Sequence, residues 1–209
     1  MSFKAFPAAL FVLLVGVLSA PSVFAPPARA TDRLPLRQDA DSLVQKIAGI
    51  RTRALSTSRA PVRTLVTERE LNAYLAYEFV RELPTGVVDP SVAIVGLGRI
   101  EGRAVVDLDR VRKERRPTSR FDPFYYLTGR LPVTATGVLK TNGGTGRFEL
   151  ESASVSGVAV PTLVVEQIVG YYSRSAERPS GIDLDVPFEL PAHIREIQVA
   201  RGQAVVVQQ

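Results

Sequence analysis

The sequence predicts a single α+β domain built on a mostly antiparallel sheet. Three observations carry this prediction. Two stretches with helical apolar spacing come first, and alternating stretches with glycine-rich turns then take over. Where the joins between strands can be read, they are too short for the crossovers that a parallel sheet needs.

The 209-residue chain holds no cysteine and one histidine. A disulfide framework is excluded, so stability has to come from an apolar core. Residues 1–30 read as a cleaved secretory signal: Lys4, an apolar run from Ala5 to Ala20, and Ala28-Arg29-Ala30 as the small-residue cleavage pattern. That run is short for a membrane-spanning helix, which needs ~20 residues. The protein is therefore expected to be exported, periplasmic or secreted. Removing Lys4 and Arg29 with the signal lowers the net charge from +5 to +3, too mild to imply a nucleic-acid partner. Residues 31–65 read as an N-terminal helical segment with a linker, and residues 66–209 as the main domain.

From Asp39 to about Leu55, Leu43, Val44, Ile47, Ile50 and Leu55 recur at helical spacing, and STSRAPVR reads as linker. In VTERELNAYLAYEFVRELP, Thr67 and Glu70 form a capping box, each side chain satisfying a free backbone N–H at the helix start. Leu71, Tyr74, Leu75, Phe79 and Val80 then line one stripe, and Pro84 stops the helix. SVAIVGLGRIEGRAVVDLD has period two and reads as two strands or one bent strand, with Val92, Ile94 and Ile100 on one face and Val95 and Leu97 on the other. VRKERRPTSRFDPFYY reads as a basic, then aromatic, loop. LPVTATGVLK and GRFELESASVS form a hairpin, with Asn142-Gly143 supplying its tight turn. On the return strand the apolar parity switches after Phe148 and Leu150 to Ala153 and Val155, which predicts a bulge or strong bend. A broadly apolar helix follows from about Thr162 to Arg174, then VPFELP and a final hairpin, IREIQVARGQAVVVQ.

Reactive groups are few. His193 is the only histidine, follows Pro191-Ala192 in a turn, and has no G-x-S-x-G elbow to serve. Zinc-type sites need cysteines or several histidines. Asp107 with Asp109, and Asp183 with Asp185, each put two carboxylates on one face of a strand, but neither pair has further acidic ligands nearby for calcium. TNGGTGR lacks the Gly-Lys-Ser/Thr ending of a phosphate loop. Glu166 inside the apolar helix reads either as a polar head at a cavity mouth or as a residue on its one wet edge. No catalytic residue, metal or cofactor is expected.

The apolar helix poses the functional question. Leu163, Val164, Val165, Ile168, Val169, Tyr171 and Tyr172 cannot all face one core. Such a helix is buried on all sides, either in a thick ordinary core or inside a curved sheet that leaves an apolar groove. VTERELNAYL, a capped helix before a glycine-punctuated sheet, resembles the start of small exported bacterial members of the tubular lipid-binding (TULIP) superfamily. The closing VPFELPAHIREIQVARGQAVVV, a Leu-Pro turn before a last strand pair, resembles the end of mannan-maturation lipoprotein-like envelope proteins. The likeness spans residues 66–208. It implies a strongly curved, mostly antiparallel sheet wrapped around one or more helices, an acyl chain held in an apolar groove, and no catalytic residues.

The expected function is therefore binding of a lipid or other amphiphile in the cell envelope, for lipid transport or envelope maintenance. Leu75, Phe79, Ile94, Phe148, Leu150, Val165, Ile168 and Tyr172 are the candidate groove lining. A dry-cored scaffold with a protein partner is the alternative, and a small hydrolase using His193 the third reading. Arg112, Lys113, Arg115, Arg116 and Arg120, with Phe121 and Phe124 directly after, are candidates for contact with an anionic membrane surface.

Overall fold

The computed structural model describes residues 35–57, 60–115, 128–166, 183–184 and 186–209. The signal segment, Arg116, Arg120, Phe121, Phe124, Ile168 and Tyr172, and the second half of the apolar helix lie outside them.

Helix α1 (Arg37–Ala54) is followed by strand β1 (Val62–Thr67), helix α2 (Glu68–Tyr77) and a 3-10 turn (Phe79–Glu82). Strands β2 (Val87–Gly96) and β3 (Arg99–Asp107) form a hairpin that leads into helix α3 (Leu108–Arg115). Then come β4 (Arg130–Asn142), β5 (Thr145–Val155), β6 (Val158–Val160), β7 (Phe188–Glu189), β8 (Ile194–Ala200) and β9 (Gln203–Gln208). The α+β antiparallel class expected from the sequence is what forms. The strands divide between two sheets: β2-β3-β4-β5-β6 with β7 beside β5, and β1-β9-β8. Neither closes into a barrel.

The large sheet has one buried face. Val92, Ile94, Ala104, Val133, Ala135, Leu139, Phe148, Ala153 and Val155 form its core, under Leu75 and Phe79 from the α2 region and Val165 from the short helical stretch at 162–166. The opposite face carries cross-strand ion pairs, such as Arg99 Nη2 to Glu151 Oε1 at 2.7 Å and Lys140 Nζ to Glu149 Oε2 at 2.6 Å. The expected bulge sits at Glu151: Gly137 pairs with Leu150 and Thr136 with Ser152, which leaves Glu151 unpaired and moves the inward set from Leu150 to Ala153.

A second core lies between α1 and the small sheet, where Leu43 meets Val66, Leu190, Ile194 and Val206. Leu71, Tyr74 and Ile197 touch both cores, so α2 is the element shared between them. α2 also shields the open edge of β2. Asn72 accepts from Val92 N at 2.7 Å and donates to Val92 O at 2.8 Å, and Glu68 accepts from Ile94 N at 2.7 Å. These side chains occupy edge groups that would otherwise recruit another strand.

Four local expectations change. Val62 and Arg63, read as the end of the linker, instead begin a strand that runs to Thr67, because β9 pairs with it along its whole length from Val62–Gln208 to Thr67–Gln203. The hairpin turn after β4 is Gly143-Gly144, with φ of 58° and 88°, since Asn142 already pairs with Thr145. The basic segment begins as helix α3 rather than loop, started by the Asp107 carboxylate, whose Oδ1 accepts from Arg110 N at 3.0 Å. Asp107 and Asp109 therefore do not share a strand face: Asp107 ends β3 and Asp109 Oδ2 accepts from Gly129 N at 3.3 Å.

Candidate functional site

Six of the eight groove candidates converge. Leu75, Phe79, Ile94, Phe148 and Val165 belong to the large-sheet core, and Leu150 packs against it from a half-buried position. Phe79 and Val165 are each 1% exposed. They share this interior with the aliphatic residues of the sheet.

The open apolar space lies one layer outward from them. A cleft of about 630 Å³ runs between the end of α2, the 3-10 turn, the start of β2 and the first turn of α3. Its volume falls within the ~300–1,000 Å³ of small-ligand sites. Val87 and Leu83 line it and also belong to, or pack on, the large core, so the cleft backs onto that core. Ala76 and Val80 form one wall, and Val88, Asp89 and Pro90 another. Pro35 closes one side, held by a hydrogen bond from Tyr77 Oη to its carbonyl at 2.9 Å. Arg110 stands on the cleft from α3.

Local chemistry explains this geometry. The helix tightens to three residues per turn at Phe79, so Val80 leaves the buried stripe assigned to it and stands 50% exposed in the cleft wall. Asp89 and Pro90 fall in an irregularity of the β2–β3 register between Val88 and Ser91, with Asp89 at a left-handed φ of 51°. Proline is tolerated there because β2 is an edge strand and the ladder is already broken. Gly86, at φ 86°, lets α3 close in: a Cβ there would stand 2.5 Å from Val111 Cγ2 and 2.8 Å from the Asp107 carbonyl oxygen.

The rim is charged. Arg130 Nη2 reaches Asp89 Oδ2 at 3.0 Å, and Arg110 Nε lies 3.5 Å from Asp107 Oδ2 while its side chain stays 65% exposed. α3 carries four bases and two acids in eight residues. Of the membrane-contact candidates, Arg112 and Lys113 sit on this helix, with Arg112 Nη2 3.2 Å from Asp109 Oδ1. Arg115 ends the helix, and its side chain lies outside the described set. The sequence placed Arg110 in the basic run considered for membrane contact and Val80 on the α2 stripe, and assigned neither to a cleft. The signal for Arg110 was present in its place at the start of the basic run.

His193 lies in a smaller, shallow depression of about 380 Å³ with Gly143, Gly144, Arg195 and Gln209. Ala192 and His193 both adopt left-handed φ, 56° and 55°, in a turn closed by Ile194 N donating to Pro191 O at 3.1 Å. Among the described residues no group of three or more histidines, cysteines or carboxylates is placed to hold a metal, and no helix is long and apolar enough to cross a membrane.

No family model matches the chain. No curated protein matches it. Among solved structures it is similar to one described as "Crystal structure of lipopolysaccharide binding protein", at 16% identity and a TM-score of 0.22, over 70% of this chain and 40% of that one. The chain thus spans about 40% of that protein's length, and a superposition this loose carries no argument about fold or ligand.

Proposed function

We propose that the protein is an exported envelope protein that binds an amphiphile, with the apolar tail in the cleft beside Val80 and Val87 and an anionic head at Arg110. The observation that carries this reading is the cleft itself: walls mainly of aliphatic and proline residues, with Asp89 among them, ending at an exposed guanidinium on a basic helix. A tail that buries about eight methylenes contributes ~6 kcal/mol. Association costs ~4–15 kcal/mol. The tail alone therefore binds weakly, and the charged rim decides which amphiphile is held.

The test uses two variants and two probes. Val80→Asp places a carboxylate in the wall at a half-exposed position, so folding is preserved. It is expected to weaken binding of a fluorescent long-chain acyl phosphate by at least ~tenfold, the equivalent of losing about two buried methylenes. Arg110→Glu is expected to weaken the acyl phosphate while leaving an uncharged long-chain alcohol probe unchanged. Equal affinity of parent and Val80→Asp for both probes would refute the cleft as the tail site.

A further inference from the structure

We infer that Leu97, at the tip of the β2–β3 hairpin, is a membrane-inserting prong that docks the protein on anionic bilayers with Arg201 beside it. This inference does not rest on the cleft, which opens at the other end of the same hairpin.

Gly96, Leu97 and Gly98 take three successive left-handed φ values, 112°, 54° and 81°. A two-residue hairpin turn with positive φ at both central positions is normally built from asparagine, aspartate or glycine. Leucine at the first of them is strained by its Cβ. Leu97 is 98% exposed, more than any other large hydrophobic residue described. Single exposed leucines are ordinary on protein surfaces, but those in relaxed conformations cost nothing to keep. Here a leucine is kept where both its backbone and its surroundings favour a polar residue or glycine. Violations of this kind concentrate at functional positions.

The tip is braced as well as strained. Gly98 N donates to Val199 O at 3.3 Å, Leu139 N donates to Gly98 O at 2.9 Å, and Gly202 N donates to Ile94 O at 2.8 Å. Packing forbids a side chain at Gly98, where a Cβ would stand 2.9 Å from the Leu139 carbonyl oxygen, and crowds one at Gly96, where it would stand 3.2 Å from Arg201 N. The turn is thus clamped between β4 and the β8–β9 turn, and Leu97 is its one projecting side chain. Val95, 40% exposed, stands two residues before it near the end of β2.

Charge selects the occupant. Arg201 is exposed, its backbone lies against Gly96, and its side chain makes no hydrogen bond or ion pair among the described residues. An exposed arginine on the turn packed against a rigid aliphatic point matches an anionic interface, where the base meets lipid phosphate and the leucine enters the acyl boundary.

The chain has no tryptophan, so Leu97→Trp introduces a single indole fluorophore at the tip. With vesicles of equimolar phosphatidylglycerol and phosphatidylcholine, its emission is expected to shift to the blue and to be quenched by brominated acyl chains. Leu97→Asn is expected to keep or raise the thermal midpoint, since asparagine tolerates the turn, and to lose vesicle partitioning ~tenfold or more. Arg201→Glu is expected to lose partitioning to the same vesicles, and added salt to weaken the parent. The proposal is overturned if the folded Leu97→Trp protein shows no shift at saturating vesicle concentration, or if Leu97→Asn partitions like the parent. Either result would leave the prong to a protein pocket or to no partner.

Discussion

Glu70→Ala is expected to destabilise the protein by about 3 kcal/mol, the lower end of the range for breaking a buried ion pair. Glu70 is 6% exposed and serves both helices at once. Its Oε1 accepts from Lys46 Nζ at 2.6 Å and from Ser42 Oγ at 2.5 Å on α1. Its Oε2 accepts from Lys46 Nζ at 2.7 Å, Thr67 N at 2.9 Å and Thr67 Oγ1 at 3.0 Å, and Thr67 Oγ1 in turn accepts from Glu70 N at 3.2 Å. The capping box read from the sequence is thus also the clamp between α1 and α2. Lys46 keeps 29% of its side-chain surface in water, which moderates the loss when its partner is removed. For a chain of this size the thermal midpoint should fall by about 6–12 °C.

The same carboxylate sets a pH dependence. Burial pushes the Glu70 carboxyl up, but the Lys46 ammonium and the hydrogen bonds from Ser42 and Thr67 outweigh it and lower its pKa from 4.5 to about 2. The folded-state value is depressed, so the stabilisation is complete above pH 4.5 and is lost as pH falls toward 2. Denaturant unfolding of Glu70→Gln across that window should show a flatter acid limb than the parent. Parallel acid limbs would mean the pair contributes little.

Gly137→Ala is expected to cost about 3 kcal/mol, at the upper end for overpacking. The Phe148 ring lies across this glycine from the neighbouring strand. A Cβ would stand 2.3 Å from Phe148 Cζ and 2.5 Å from Cε1, and 2.6 Å from the Glu149 carbonyl oxygen. The ring could turn aside, but the carbonyl belongs to the β4–β5 ladder at the Glu151 bulge and cannot move alone. A fall of about 6–12 °C in the thermal midpoint is the predicted result. A variant that melts within a degree of the parent would show that the ladder slides without cost.

The elements that could be read in the sequence were those whose signals are local. The Thr67–Glu70 box and the alternation of Val92 and Ile94 followed by Ile100 depend on neighbours within a few residues, and each is present. The parity switch at Leu150 also fell where the structure has its bulge. β1 was hidden because Val62–Thr67 becomes a strand only by pairing with β9, at the far end of the chain. α3 was hidden because its basic composition suggests a loop, while its start depends on the Asp107 side chain and on Gly86 yielding space. The cleft was illegible for a related reason. Extending the α2 stripe at 3.6 residues per turn buries Val80, whereas the 3-10 turn brings it to the surface. Leu97 was read as a strand residue sharing a face with Val95, whereas it sits in the turn between β2 and β3, and its strain and full exposure are properties of that turn.

The most direct measurement of the central claim is organic extraction of the protein purified from its native envelope, followed by mass spectrometry, with Val80→Asp purified in parallel. The amphiphile reading predicts a bound anionic single- or double-chain species near one per protein in the parent, depleted in the variant. A clean extract from a folded parent, or an equal yield from both proteins, would contradict it.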